Sequence, residues 1–129
     1  MSRPPRQRRE AGLDAEEAVC ALLRERGIRV VARNVRGRAG EIDIVAREGE
    51  AILFVEVRSR DRSDFGLPEE TVTPAKRRRI AAAAREYLRG IPPGSWREAR
   101  FDVAAVEGEG ERRTIRYLPG AFDGRGNPL

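Results

Sequence analysis

Between residues 10 and 26 the apolar positions fall three and four residues apart: Ala15, Val19, Leu22 and Leu23, with Ala18 alongside. That spacing lines one face of an α-helix, and Gly27 ends it. Residues 28–35 alternate loosely and predict a first strand. Two β-branched, apolar runs, residues 40–46 and 51–60, flank Arg47-Glu48-Gly49-Glu50 and predict a β-hairpin. Residues 59–72 hold Asp61, Arg62, Ser63, Asp64, Gly66 and Pro68 without a period, which predicts a long loop. A second helix then opens with Thr73 as N-cap and Pro74 in the first helical position. Its apolar stripe is Ile80, Ala83, Ala84, Tyr87 and Leu88, and Gly90 ends it. After a linker over residues 91–95, Trp96 is expected to pack near the sheet edge. Residues 100–106 predict a strand with Phe101, Val103 and Ala105 on one face, and residues 113–118 a short last one. Asp102 shares the other face with Arg100, and pairing with an arginine accounts for it.

These elements make one α/β domain over residues 10–118. Residues 1–9 carry Arg3, Arg6, Arg8 and Arg9 with almost nothing to bury, and read as a disordered basic arm. Residues 119–129 read as a loose Gly- and Pro-rich tail apart from Phe122. A chain of 129 residues has room for one core. Its net charge of +5 comes almost wholly from arginine, which suits a phosphate-bearing partner and also follows from base composition in some genomes. There is no histidine and one cysteine, Cys20, so histidine catalysis, a disulfide framework and a Cys/His zinc site are excluded. No apolar run reaches the roughly 20 residues that span a bilayer. The N-terminus lacks the apolar core of a secretory signal, so the cytoplasm is the expected compartment.

The candidate chemistry lies in the hairpin, where Asp43 and Glu56 interrupt good strand sequence. With a two-residue turn at Glu48-Gly49 or Gly49-Glu50, the two acids share a face, and Arg58 shares the face of Glu56. Two carboxylates beside a cation suit a hard divalent ion with a phosphate next to it. Neutralisation of the acids by neighbouring arginines is the other reading that the spacing leaves open. Glu16 borders the buried stripe of the first helix and is placed to look into a site, although its position in the N-terminal half also favours the helix dipole. The loop Arg36-Gly37-Arg38-Ala39-Gly40 suits backbone approach to phosphates. Lys76, Arg77, Arg78 and Arg79 oppose the dipole of the second helix, and an anion docked there would turn that cost into a site.

Glu16 and Leu23 before Gly27, Arg33-Asn34, Gly40-Glu41-Ile42-Asp43, Phe54-Val55-Glu56-Val57, Phe65-Gly66, Val72 with Lys76, Tyr87-Leu88, Arg100-Phe101-Asp102-Val103 and Ala121-Phe122 run nearly end to end. In this order and spacing the chain resembles the PD-(D/E)XK nuclease superfamily. More closely it resembles the YraN-like family of small bacterial proteins, which are similar to archaeal Holliday-junction resolvases. The resemblance implies a restriction-endonuclease-like core, a central mixed β-sheet flanked by helices in the order α-β-β-β-α-β-β. It implies a Mg²⁺- or Mn²⁺-dependent, structure-selective DNA endonuclease acting on branched DNA, and a homodimer. Asp43 and Glu56 would ligate the metal together with the carbonyl of Val57, and Glu16 would complete the carboxylate cluster. Arg58 stands where the superfamily has lysine, so the alternative is a non-catalytic nucleic-acid-binding protein on a nuclease scaffold. Lys76 is a second source of a lysine, phosphate binding being its simpler account. The expected nucleic-acid contacts are Arg33, Asn34, Arg36, Arg38, Arg60, Lys76, Arg77, Arg78 and Arg79.

Overall fold

A computed structural model describes the backbone of residues 5–60 and 66–129, with side chains from residue 14 onward. The elements are α1 (Pro5–Glu25), β1 (Arg29–Arg36), β2 (Glu41–Glu48), β3 (Ala51–Arg60), α2 (Pro74–Arg89), β4 (Glu98–Glu107) and β5 (Thr114–Phe122). Short 3₁₀ turns occupy Pro68–Thr71 and Gly110–Arg112. The order α-β-β-β-α-β-β is the one expected. The five strands lie in the order β1-β2-β3-β4-β5, with β3 and β4 parallel and all other neighbours antiparallel.

Each helix covers one face of this mixed sheet because its apolar stripe matches one set of alternating strand residues. On the α1 side Ala15, Val19, Cys20 and Leu23 pack against Ile44, Ala46, Leu53, Val55, Ala104 and Val106. On the α2 side Ile80, Ala81, Ala83 and Ala84 pack against Val45, Ile52, Phe54, Phe101, Val103 and Phe122. There the rings of Phe54, Phe101 and Phe122 stack at centroid separations of 5.4 and 4.9 Å, and Tyr87 meets Phe54 edge-on. Each such fully buried side chain contributes on the order of 1.5–3 kcal/mol. Trp96 packs half-buried against the same cluster. No helix among the described residues is long and apolar enough to cross a membrane.

Two boundaries differ from those the sequence suggests. α1 begins at Pro5, so residues 5–9 of the expected disordered arm are helical, while residues 1–4 lie outside the described residues. Proline fits a first helical turn, and the arginines and Gln7 that follow are good helix formers. The tail is not loose. β5 runs to Phe122, and the chain then turns so that Asp123 Oδ1 accepts the N–H groups of Arg125 and Asn127, both at 2.9 Å. Arg77 and Arg85 on α2 donate to the carbonyls of Gly126 and Gly124 at 2.8 and 2.7 Å. Tertiary bonds to α2 therefore order a segment whose composition argues for none. The expected loop after β3 is partly a 3₁₀ turn, and its residues 61–65 lie outside the described ones.

Candidate active site

The hairpin closes through Gly49-Glu50, with Glu48 paired to Ala51 and Gly49 at a φ of +60°. Glycine at the first of two turn residues with positive φ is what a right-twisted hairpin accepts most readily. The register continues through Ile44 opposite Val55, which brings Asp43 to Glu56 at the open end. There the alternation of β2 breaks. Ile44 and Ala46 face α1, whereas Ile42, an even number of residues away, packs on the α2 side. β1 breaks at the same level: Asn34, between Arg33 opposite Ile44 and Val35 opposite Ile42, has a φ of +51°. Asparagine tolerates this left-handed conformation better than most residues. Asp43 thus sits where the sheet turns over, and the backbone N–H of Val57 donates to its Oδ2 at 2.8 Å. The N–H and carbonyl of one strand residue point to the same side, so the Val57 carbonyl also faces this opening.

Burial pushes the Glu56 carboxyl up to about 8, and the negative charge of Asp43 adds to the effect, while Arg58 and Lys76 oppose it. Burial raises Asp43 too, against the Val57 N–H, a hydrogen bond from Glu56 and the charge of Arg58. The two acids behave as a pair that holds one proton between them.

Beside them opens a cleft of about 380 Å³ lined by Arg38, Glu41, Glu56, Arg58, Lys76 and Arg79, among others. Arg58 Nη2 lies 3.2 Å from Glu56 Oε1, and its Nε is buried without a hydrogen-bond partner. Lys76 and Arg79 come from the start of α2, where Thr73 Oγ1 accepts the Lys76 N–H at 3.3 Å. The Gly37–Gly40 turn forms the opposite wall, its Gly37 N–H bonded to the Gly40 carbonyl at 2.8 Å. Glu86 on α2 fixes that wall by accepting the Arg38 N–H at 2.9 Å. A Cβ at Gly37 would lie 2.4 Å from the Glu86 carboxylate, so a larger residue there would displace Glu86 from this contact.

Several expected site residues are used differently. Arg33 pairs with Glu17 at 2.7 Å and lies 3.6 Å from Glu16, so its guanidinium is turned to α1 instead of outward. Glu16 is raised by burial and then by the charge of Asp43. Its Oε1 is buried without a hydrogen-bond partner, and among the described residues no group of three or more acids, cysteines or histidines is gathered closely enough to hold a metal ion by itself. Asn34 serves the backbone turnover described above. Arg77 is spent on the Gly126 and Val72 carbonyls, both at 2.8 Å, and the backbone N–H of Arg78 abuts Gly126. Arg36 ends β1 opposite Glu41, and Arg60 ends β3 with its carbonyl accepting the Gly108 N–H. Of the expected basic contacts, Arg38, Lys76 and Arg79 reach the cleft.

Asp43 and Glu56 fit a magnesium ion. Mg²⁺ takes one or two protein carboxylates and fills its other positions with water and phosphate oxygen, and a shared proton is what such a cation displaces. Sequence reasoning missed Glu86, whose partner lies 48 positions away. It also missed the reach of Asp102, which is fully buried and binds Arg100 twice, at 2.8 and 3.0 Å, with Tyr117 Oη and the Gly120 N–H as further donors.

The family model described as "Uncharacterised protein family UPF0102" matches residues 15–106. A "UPF0102 protein" of Anaeromyxobacter dehalogenans is 48% identical over 122 residues, covering 94% of this chain and 90% of its own. One from Myxococcus xanthus is 44% identical, covering 92% and 94%, and one from Moorella thermoacetica is also 44% identical, covering 89% and 97%. All of the cleft-lining residues and both acids fall inside the matched span.

Proposed function

Since the chain belongs to UPF0102, a family whose description assigns no activity, we propose that Asp43 and Glu56 form a Mg²⁺-dependent phosphodiesterase site that cuts DNA, branched DNA in particular. The observation that carries this reading is a pair of buried acids sharing a proton beside a cleft whose other charges are mostly cationic. Such a pair costs stability, because two like charges are brought together away from water, so the fold alone gives no reason for it. A protein that only bound nucleic acid would gain nothing from carboxylates that repel phosphate.

Mg²⁺ or Mn²⁺, held by Asp43 and Glu56 with the Val57 carbonyl alongside, would polarise the scissile phosphodiester and lower the pKa of a bound water. The chain's own groups do the rest. The Val57 N–H holds Asp43 in place, and Arg58 donates to charge growing on the phosphoryl oxygens. Arg38, Lys76 and Arg79 hold the flanking phosphates from two walls of the cleft. Among the described residues the cleft is lined mostly by charged and small side chains, which suits contacts to the backbone of the nucleic acid. A homodimer would set two such sites about a two-fold axis, which suits a symmetric four-way junction.

One observation favours a binding protein without cleavage: Arg58 Nη2 lies 3.2 Å from Glu56 Oε1 and competes with a cation for that carboxylate. A cleavage panel separates the two. Supercoiled, linear, single-stranded and four-way-junction DNA are incubated with Mg²⁺ or Mn²⁺ and the native chain, Asp43→Asn or Arg58→Lys. The phosphodiesterase reading expects junction cleavage that Asp43→Asn abolishes. Cleavage surviving Asp43→Asn would sink the metal site, and cleavage by Arg58→Lys alone would make the native chain a binder with a disabled site.

A further inference from the structure

The Gly37–Gly40 turn that walls the cleft has a second side. Behind it, against the C-terminal half of α2, lies another hollow of about 280 Å³. Gly37 lines both spaces, and the arginines on either side of it divide between them, Arg38 lining the cleft and Arg36 the hollow. The two spaces differ in character. The hollow is walled by Val35, Ala83, Tyr87 and Ile91, with Glu86 as its acid. Phe54, Phe101 and Phe122 are buried in the core, and Tyr117 donates to Asp102. Tyr87 is half-buried, meets Phe54 edge-on and still lines the hollow.

A DNA strand whose phosphate sits at Arg38 must put the attached base somewhere. In a duplex that base is stacked and turned to the opposite strand, but an unpaired one leaves the stack at little cost. Its flat faces pack on aromatic and aliphatic side chains, and its Watson–Crick edge carries a hydrogen-bond donor whichever base it is. Glu86 offers the matching acceptor: Oε2 takes the Arg38 N–H, and Oε1 has no partner among the described residues. Ordinary ligand pockets begin at roughly 300 Å³, so a hollow of this size suits a single ring system better than a larger molecule. We propose that the hollow receives an unpaired nucleobase next to the phosphate held in the cleft. The base lies against Tyr87 with its edge toward Glu86, and Arg36 meets the phosphate that follows. This rests on the phosphodiesterase reading for the phosphate in the cleft, and it names what the protein recognises in branched DNA, a nucleotide without a partner. The cleft then supplies affinity and the hollow selectivity, with the Glu86–Arg38 bond joining the two.

The test measures affinity with Ca²⁺ in place of Mg²⁺ on three short DNA duplexes. One is fully paired, one carries a single bulged cytosine, and in the third an abasic residue replaces that cytosine. The native chain is expected to bind the bulged cytosine about tenfold more tightly than either of the others. Gly90 lines the hollow, is exposed and has a φ of −88°, so it accepts a side chain. A Cβ there would meet the Tyr87 carbonyl oxygen at an ordinary 3.5 Å. Gly90→Leu fills the hollow from outside the core, and Tyr87→Leu removes the ring. Each is expected to bring the cytosine-to-abasic ratio to within about twofold of unity. The ratio is taken on one protein, so a general loss of DNA binding cancels. A native ratio near unity overturns the proposal, and so does a tenfold ratio that survives either substitution. Junction cleavage in Mg²⁺ by a native chain whose ratio is near unity sinks the hollow alone. A tenfold ratio lost in both variants of a chain that cuts nothing upholds the hollow and sinks the phosphodiesterase reading. A native chain that binds none of the three duplexes overturns both.

Discussion

At neutral pH Glu56 carries a proton in the folded chain that it would release on unfolding. Burial, reinforced by Asp43, raises its pKa from 4.5 to about 8, so between those values the native state binds more protons than the unfolded one. The stabilisation from this group is fully present below the lower value and is lost as pH rises through the upper one. Glu56→Gln keeps a donor toward Asp43 without the charge. It is predicted to melt several degrees above the native chain near pH 9, with the gap closing toward pH 5. Thermal melts across that range check it, and parallel curves would mean that Glu56 titrates like an exposed acid. Asp43 and Glu56 were legible because a short hairpin relates them by local register alone. The surroundings of Glu16 were not, since Arg33, 3.6 Å away, comes from another element. Asn34 gave no signal either, because a positive φ in mid-strand leaves no pattern in hydrophobicity.

At the level of elements, the sheet holds two kinds of buried acid. Asp102 is satisfied on all sides, and its Oδ1 accepts the N–H of Gly120, which has a φ of +61° where β5 carries extra residues between Leu118 and Phe122. It fastens an irregular strand to β4 with Arg100 and Tyr117. The same burial and the adjoining carboxylate drive the Tyr117 hydroxyl well above its usual range. Asp102→Ala would strand Arg100 and free the bulge, at a predicted cost of about 3 kcal/mol or more. Asp43→Asn is predicted to cost little or to stabilise, because it removes a charge that burial disfavours. Urea denaturation midpoints compare the two, and equal losses would refute the distinction. The pairing of Asp102 with Arg100 could be read from parity, whereas Tyr117 and Gly120 could not, because the bulge shifts the register of β5. Caps and turns were the most readable elements: Thr73, Pro74, Gly49 and Gly27 each carry a local conformational preference that the fold uses.

On the scale of the whole molecule, the sheet with one helix on each face follows from matched apolar stripes, and composition misleads only at the ends. The tail after Phe122 is held by Arg77 and Arg85 of α2, so Arg77, expected from sequence on a nucleic acid, and Arg85 join this segment to the helix that carries Lys76. Ending the chain at Asp123 is predicted to weaken local stability at the start of α2 by roughly 1–2 kcal/mol, which speeds amide exchange about tenfold over residues 76–80. Hydrogen exchange measured by mass spectrometry tests this, with β2 and β3 as unchanged references. The parallel pairing of β3 with β4 has a consequence of another kind. A chain that must re-enter a sheet in the direction it left can return only through a crossover, and the crossover helix begins at the strand's exit. Glu56 and Arg58 are therefore carried by the strand that leaves and Lys76 by the helix that returns, with the stretch from Arg60 to Thr73 between them. Each side is anchored by its own packing, so insertions in that stretch can reshape what the cleft admits while the reacting groups keep their places.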